Sequence, residues 1–305
     1  MKIVKLKPFY SEKLWGGSKL KNLGFDIPEN KKIGEAWIIS AHNNGMTFFE
    51  EKDLKGKSLK YVFENNRQWF GNYQGEFPLL VKIITANDYL SVQVHPTDAY
   101  ALKKHHSLGK PESWLILDCP DDAFLIYGHN AQSLFQLEEM VATQQWDKLL
   151  KKVSVNKGDF LYVEPGKVHA ITPGVTVCEV QRSSDITYRF YDYDRVDDQG
   201  LPRQLDIEDS INCTVIPDTA EQIVHQASGQ IFSSEFFSIY IMDATKEKYF
   251  QTIENPYFLT FTVIHGSGTI NGQRFSLGES AISLGAVENV EFSGDLKVII
   301  AWIRK

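Results

Sequence analysis

Along most of this chain apolar and polar residues alternate over short runs instead of recurring every three or four positions. The runs "EAWIIS", "PLLVKII", "YLSVQVH", "SWLILD", "DFLYVEPG", "VTVCEVQ", "ITYRFYDYD", "FSIYIMD", "YFLTFTVIHG", "GTINGQ" and "LKVIIAWI" are rich in β-branched and aromatic residues and bounded by Gly, Pro or Asn. Such runs predict strands. Helical periodicity is confined to Gly56–Trp69, to "TDAYALKKHH" after Pro96, and to Ala131–Lys152, where Leu134, Leu137 and Met140 make an apolar face. Many short strands with few helices predict a mainly β protein built as a sandwich, jelly roll or barrel.

A weak internal repeat organises the pattern. Gly158–His169 reads "GDFLYVEPGKVH" and Gly278–Asn289 reads "GESAISLGAVEN". Each opens on Gly and an acid, crosses a strand-like run and reaches a turn after the same interval. Pro165-Gly166 falls opposite Gly285-Ala286, and His169 opposite Asn289. Two copies of one β module are therefore expected. Residues 1–217 would hold the first, with helical insertions, and 218–305 the second, joined through the polar stretch Asp218–Gly229. The first copy keeps a histidine that the second lacks.

Composition narrows the class. The 305 residues suffice for two domains with a substantial core, and 43% hydrophobic with 23% charged residues is ordinary for a soluble protein. A formal charge of −7 argues against a nucleic-acid partner or an anionic membrane, while leaving room for a local basic pocket. No stretch is long and apolar enough for a signal or a bilayer span. Cys119, Cys178 and Cys213 are few and scattered, which fits buried thiols in a reducing cytoplasm.

The candidate chemistry begins at "LSVQVHPTDAY", where Gln93 and His95 share one face of a strand that Pro96 ends. Alone, such a pair is most simply satisfied by local hydrogen bonds. The first repeat copy changes that reading, because its form G-x6-P-G-x2-H resembles the second conserved motif of the cupin superfamily. In cupins that histidine binds metal, with further ligands from an earlier H-x-H pair and a following acid. The matching places here hold Gln93, His95 and Glu112, beside His169. Two imidazoles, a carboxylate and an amide oxygen suit a borderline divalent ion, Zn²⁺ first, with Mn²⁺ or Fe²⁺ also compatible by ligand type.

A closer resemblance rests on "EKLWGG", "GEAW", "LSVQVHP", "GKPE", "PGKVHAI" and "CEVQRSSDITYRFYDYDR". These look like the type I mannose-6-phosphate isomerases, particularly their short bacterial branch, and cover the chain from about Phe9 to the C-terminal module. The resemblance implies a bicupin, two jelly-roll β-barrel modules with a small inserted helical segment. It implies one zinc ion on Gln93, His95, Glu112 and His169, and interconversion of mannose 6-phosphate and fructose 6-phosphate. It further assigns Arg189, Glu179 and Lys110 to catalysis, and Ser91 and Arg195 to the sugar phosphate. One departure is that larger members follow the arginine with an "LTPK"-like segment, where this chain has "FYDYDR".

These residue types suit the reaction. Aldose–ketose isomerisation moves a proton between C2 and C1 through a cis-enediol(ate), whose oxygens develop negative charge that a divalent metal or an arginine stabilises. The base is left open between Glu179 and Lys110; a lysine beside a metal would have its proton affinity lowered. In "TYRFYDYDR" a straight strand would point Arg189 and Arg195 to one side, as anchors for a phosphate. His42, His105, His106 and His265 read as structural or exposed, and "GSGTING" as turn glycines. The rival readings are a non-catalytic metal-cupin that senses a sugar phosphate and an iron-dependent cupin oxygenase.

Overall fold

In the computed structural model, which describes all residues except 198 and 253, strands dominate as the alternation predicts. Among the described residues they form sheets of nine, seven and five strands and one two-stranded ribbon. The seven-stranded sheet runs in the order Ile223–Val224, Phe160–Val163, Glu112–Asp118, Thr176–Arg182, Leu79–Thr85, Ile33–Ile39, Phe9–Gly17. The five-stranded sheet runs Leu150–Ser154, Phe124–His129, His169–Ala170, Val92–Val94, Tyr188–Tyr191.

Alternation decides which side chains meet. In the seven-stranded sheet, Ala36, Ile38, Val81, Ile83, Leu115, Cys178 and Val180 share a core with Ile239, Phe258, Ile282 and Ile299 of the nine-stranded sheet. The intervening positions turn the other way, where Ile84, Trp114, Ile116 and Val177 pack with Leu125 and Tyr127 of the five-stranded sheet. By the same parity Glu35, Lys82, Glu112 and Glu179 face the space between those two sheets. Charged residues in otherwise apolar strands are thus gathered on one side. The outer face of the five-stranded sheet is covered by helices Leu134–Ala142 and Ile207–Cys213, through Leu137, Met140, Val141 and Cys213 packed on Val92, Val94 and Phe190.

The chain ends interlock. Lys2–Lys7 pairs with Ser280–Leu284 in the nine-stranded sheet, while Ile223–Val224 pairs with Phe160–Val163 in the seven-stranded one. The repeat has a backbone counterpart. Phe160–Val163 and Ser280–Leu284 each start two residues after a left-handed glycine, Gly158 (φ +93) or Gly278 (φ +85). The second turn is offset, since Gly166 and Gly285 carry the next positive φ and they do not align in sequence.

Two helix expectations change, and three elements had no expectation. The helix expected over 131–152 is a helix at Leu134–Ala142, a left-handed Gln144, a short helix at Trp146–Leu149 and then the strand Leu150–Ser154. Cross-strand pairing of Leu125 with Val153 outweighs local helix preference there. The strands Lys2–Lys7 and Phe124–His129 and the helix Ile207–Cys213 had no clear sequence signal. The helix in Gly56–Trp69 is only Leu59–Asn65, capped by Ser58, with a 3-10 turn at Arg67–Phe70.

Candidate metal and substrate site

The short strand Val92–Val94 lies between His169–Ala170 and Tyr188–Tyr191, and Gln93 is in register with His169 on one side and Arg189 on the other. His95 follows at the strand end. The Pro165-Gly166 turn is tied to it, because the Gly166 N–H donates to the His95 carbonyl at 2.9 Å. Glu112 comes from the facing sheet, in register with Gln181 and Val163. One turn motif and two sheets therefore deliver the four expected ligands to one place.

His95, Glu112 and His169 are fully buried, with one candidate ligand atom from each lying within 4.8 Å of the others. Each imidazole spends its Nδ1–H on a backbone carbonyl, His95 on Ile186 at 2.9 Å and His169 on Lys167 at 2.8 Å. A carbonyl can only accept, so in the neutral ring each Nε2 is the lone-pair side and is turned to Glu112, that of His95 also facing the Lys110 ammonium at 3.0 Å. Those nitrogens lie 3.3 Å and 3.2 Å from the Glu112 carboxylate oxygens, acceptor facing acceptor. Both Glu112 oxygens are buried without a hydrogen bond among the described residues. The Gln93 amide stands 3.4 Å from His169 Nε2, and a half-turn would present its oxygen. Converging lone pairs with carbonyl-anchored imidazoles are the donor set a divalent cation requires.

Lys110 borders this cluster, its ammonium 2.8 Å from Glu112 Oε2 and 3.0 Å from His95 Nε2. Burial by itself would raise the Glu112 carboxyl, but the Lys110 charge holds it well below the usual carboxylate range. Burial, and next Lys110, push the His95 imidazole down to about 3, so the ring is neutral and free to act as a ligand.

Gln93 and Lys110 also line a cavity of about 300 Å³ that opens beside the cluster. Its wall is a cross-strand row, Trp37, Lys82, Glu179 and Trp114, one residue from each of four adjacent strands. Lys82 donates to Glu179 and to Gln181, both at 2.7 Å, and the Trp114 indole donates to the other Glu179 oxygen at 3.0 Å. Glu35, held by Trp37 at 2.7 Å and Lys13 at 3.3 Å, stands beyond. Burial opposes the charge on Lys82, yet Glu179 and Glu35 raise its pKa. Lys82 and Glu35 were missed as site residues. The available signal was parity, since each is the charged member of an apolar strand on the same face as a site tryptophan or Ile84.

Ser91 and Arg189 line the cavity as well, but Arg195 does not. The strand carrying Arg189 ends at Tyr191, and Tyr193 (φ 58) and Asp194 (φ 52) are left-handed, so the parity linking the two arginines breaks. Arg195 instead bonds Asp192 at 2.5 Å and donates to the Tyr89 carbonyl. The second arginine at the cavity is Arg203, which sequence reasoning passed over.

Residues 3–112 match the family model described as phosphomannose isomerase type I, catalytic domain. The chain is 41% identical over 300 residues to the mannose-6-phosphate isomerase of Streptococcus mutans serotype c, covering 94% of each. The chain belongs to the mannose-6-phosphate isomerase family. It is 44% identical over 218 residues to mannose-6-phosphate isomerase ManA of Bacillus subtilis, covering 71% of this chain and 69% of the relative. The crystal structure of mannose 6-phosphate isomerase from Bacillus subtilis matches with a TM-score of 0.91 at 34% identity, over 99% of each chain. A putative mannosephosphate isomerase from Archaeoglobus fulgidus shares the fold at 19% identity and a TM-score of 0.78. As a member of the mannose-6-phosphate isomerase family this chain is an isomerase, with a buried His–Glu–His group able to bind a metal ion.

Proposed function

We propose that this enzyme interconverts D-mannose 6-phosphate and D-fructose 6-phosphate through a cis-enediol(ate), with one Zn²⁺ held by Gln93, His95, Glu112 and His169. The observation that carries the proposal is the Glu112 carboxylate, buried between two aimed imidazole lone pairs without a hydrogen bond among the described residues, at the edge of a cation-rich cavity. A divalent ion there would supply Lewis-acid stabilisation of the developing oxyanion.

The protein's own groups divide the remaining work. Both Glu179 oxygens receive hydrogen bonds, from Lys82 and Trp114, which fixes the carboxylate in the cavity wall. That orientation favours Glu179 as the base that takes the C2 proton and returns it to C1. Lys110, ion-paired to Glu112 and within hydrogen-bond distance of His95 Nε2, would place positive charge near the enediolate oxygens. Arg189 keeps its guanidinium free for substrate, and Ser91 offers a hydroxyl along the same wall. Arg195 would act through Asp192 and not by direct contact.

Two jelly-roll modules of a bicupin, split near residue 217, remain the architectural reading, supported by the repeated glycine turns. Three free cysteines fit a cytoplasmic setting. The test is a coupled assay on purified protein supplied with Zn²⁺. Exchange between the two sugar phosphates is expected. Binding of mannose 6-phosphate with no exchange would favour a sensor instead, and oxygen uptake with Fe²⁺ an oxygenase.

A further inference from the structure

We propose that the phosphate of the substrate is gripped by Arg203 together with Arg189, on the side of Gln93 away from His95, and that Arg195 serves only to brace Arg203 through Asp192. This rests on the sugar-phosphate isomerase reading and names the residues of its anion end. The backbone explains how Arg203 arrives. An antiparallel bridge between Val196 and Pro202 folds the chain back, which sets Arg203 beside Asp192. Asp192 then accepts from Arg203 Nε at 2.7 Å and from Arg203 Nη2 at 2.5 Å, a fork that fixes the guanidinium plane. Arg203 Nη1 has no protein partner among the described residues.

Availability of donors separates the arginines from the other cations. Lys13, Lys82 and Lys110 line the same cavity, but each is already matched to a carboxylate, Glu35, Glu179 and Glu112 respectively. The Arg189 guanidinium has no hydrogen bond or ion pair among the described residues, and its Nε is buried unpartnered. Burial, and next the charge of Arg203, push the Arg189 pKa below its ordinary value, as expected of two cations facing one space. Asp192 is shared by Arg203 and Arg195, and Arg195 also pairs with Asp88 at 3.5 Å, so Arg195 is committed to carboxylates while Arg203 Nη1 and the Arg189 guanidinium keep donors without a hydrogen-bond partner among the described residues.

Position supplies the orientation. Along the central strand the order is His95, Gln93, Ser91, and Tyr191 lies in register with Val92. Arg195, on the same Asp192, reaches the Tyr89 carbonyl, so the Asp192 group lies on the far side of Gln93 from His95. A hexose 6-phosphate with its C1–C2 edge at the cluster would carry its phosphate to that end, where two guanidinium groups can bind it by charge-assisted hydrogen bonds.

The test compares wild type with R203Q, R203K and R195Q, all loaded with Zn²⁺, reading KM and kcat for mannose 6-phosphate and the inhibition constant of inorganic phosphate. R203Q should raise KM and the phosphate constant in parallel by about 10- to 100-fold, with kcat changed by less than about threefold. R203K should fall between, and R195Q should raise both by no more than about threefold. Values for R203Q close to wild type, or an R195Q effect as large as that of R203Q, would overturn the proposal. Should R203Q fail to fold by circular dichroism, R203K decides, since an unchanged phosphate constant at an unchanged melting temperature is fatal. If wild type does not exchange the sugar phosphates, the isomerase reading fails; calorimetry of inorganic phosphate binding to wild type and R203Q then still decides the anion site.

Discussion

Lys82 Nζ lies 2.7 Å from Glu179 Oε1, and both side chains are buried between the seven- and five-stranded sheets. A buried pair of this kind is costly to break from one side only, because the remaining charge loses its partner. Lys82→Met should therefore destabilise the protein by about 3–5 kcal/mol and abolish turnover. Combining it with Glu179→Gln should recover part of that stability but no activity. Urea unfolding of the single and double variants measures the coupling, and strictly additive losses would show the two groups to be independent.

Arg189 is poised differently, with a guanidinium that no protein group satisfies among the described residues. Arg189→Ala should lower kcat/KM by at least about 100-fold, in the range expected when a charged group that hydrogen-bonds an anionic substrate is truncated. Zinc content by mass spectrometry should stay at the wild-type level. Retained activity would remove Arg189 from the mechanism.

Glu112 has two oxygens without a hydrogen bond among the described residues, and Lys110 pairs with only one of them, so a bound cation should stabilise the fold as well as support catalysis. Chelation is expected to abolish turnover and lower the melting temperature, with Zn²⁺ restoring both. Glu112→Gln should retain no ion after dialysis and show no melting shift on adding Zn²⁺. A chelated enzyme with full activity would refute a metal role.

Much of this site is visible in the sequence because its parts are local. Gln93 and His95 share a strand face by parity, and the Gly158 and Gly166 turns place His169 at a fixed interval. Lys82 and Glu35 were less visible, since a lysine or glutamate in a strand declares a face only once the neighbouring sheet is known. Arg203 was hidden for another reason. Two left-handed residues, Tyr193 and Asp194, end the strand, and no local pattern announces that the chain then folds back. The strand Lys2–Lys7 was likewise unread, because its partner Ser280–Leu284 lies at the other end of the chain.

Asp192 offers a pH test away from the cation cluster. Burial alone would raise its carboxyl, but Arg203 first and then Arg195 carry it below the ordinary value of 3.8. A carboxylate with a depressed native pKa contributes stability above its unfolded pKa, and loses that contribution as pH falls through the native value. The stability gap between wild type and Asp192→Asn should therefore be full at pH ~6 and shrink below pH ~4. Guanidinium unfolding at a series of pH values reads the gap directly. A gap that does not change with pH would mean that the Asp192 charge contributes nothing.

The two repeat copies can be set against each other through their turn glycines. Gly166 (φ +93) and Gly285 (φ +91) both occupy the left-handed region, where any side chain is strained by about 1 kcal/mol or more. A Cβ on Gly166 would also meet Val215 Cγ2 at 2.5 Å and the Cys213 carbonyl at 3.0 Å, whereas on Gly285 the nearest atom is Met1 Cα at 3.9 Å. Gly166→Ala should thus cost about 1–3 kcal/mol more than Gly285→Ala. Its turn also bonds the His95 carbonyl and leads into His169, so only Gly166→Ala should weaken Zn²⁺ affinity. Equal losses of affinity in both variants would mean that the turn positions no ligand, and that the first copy differs from the second only in its side chains.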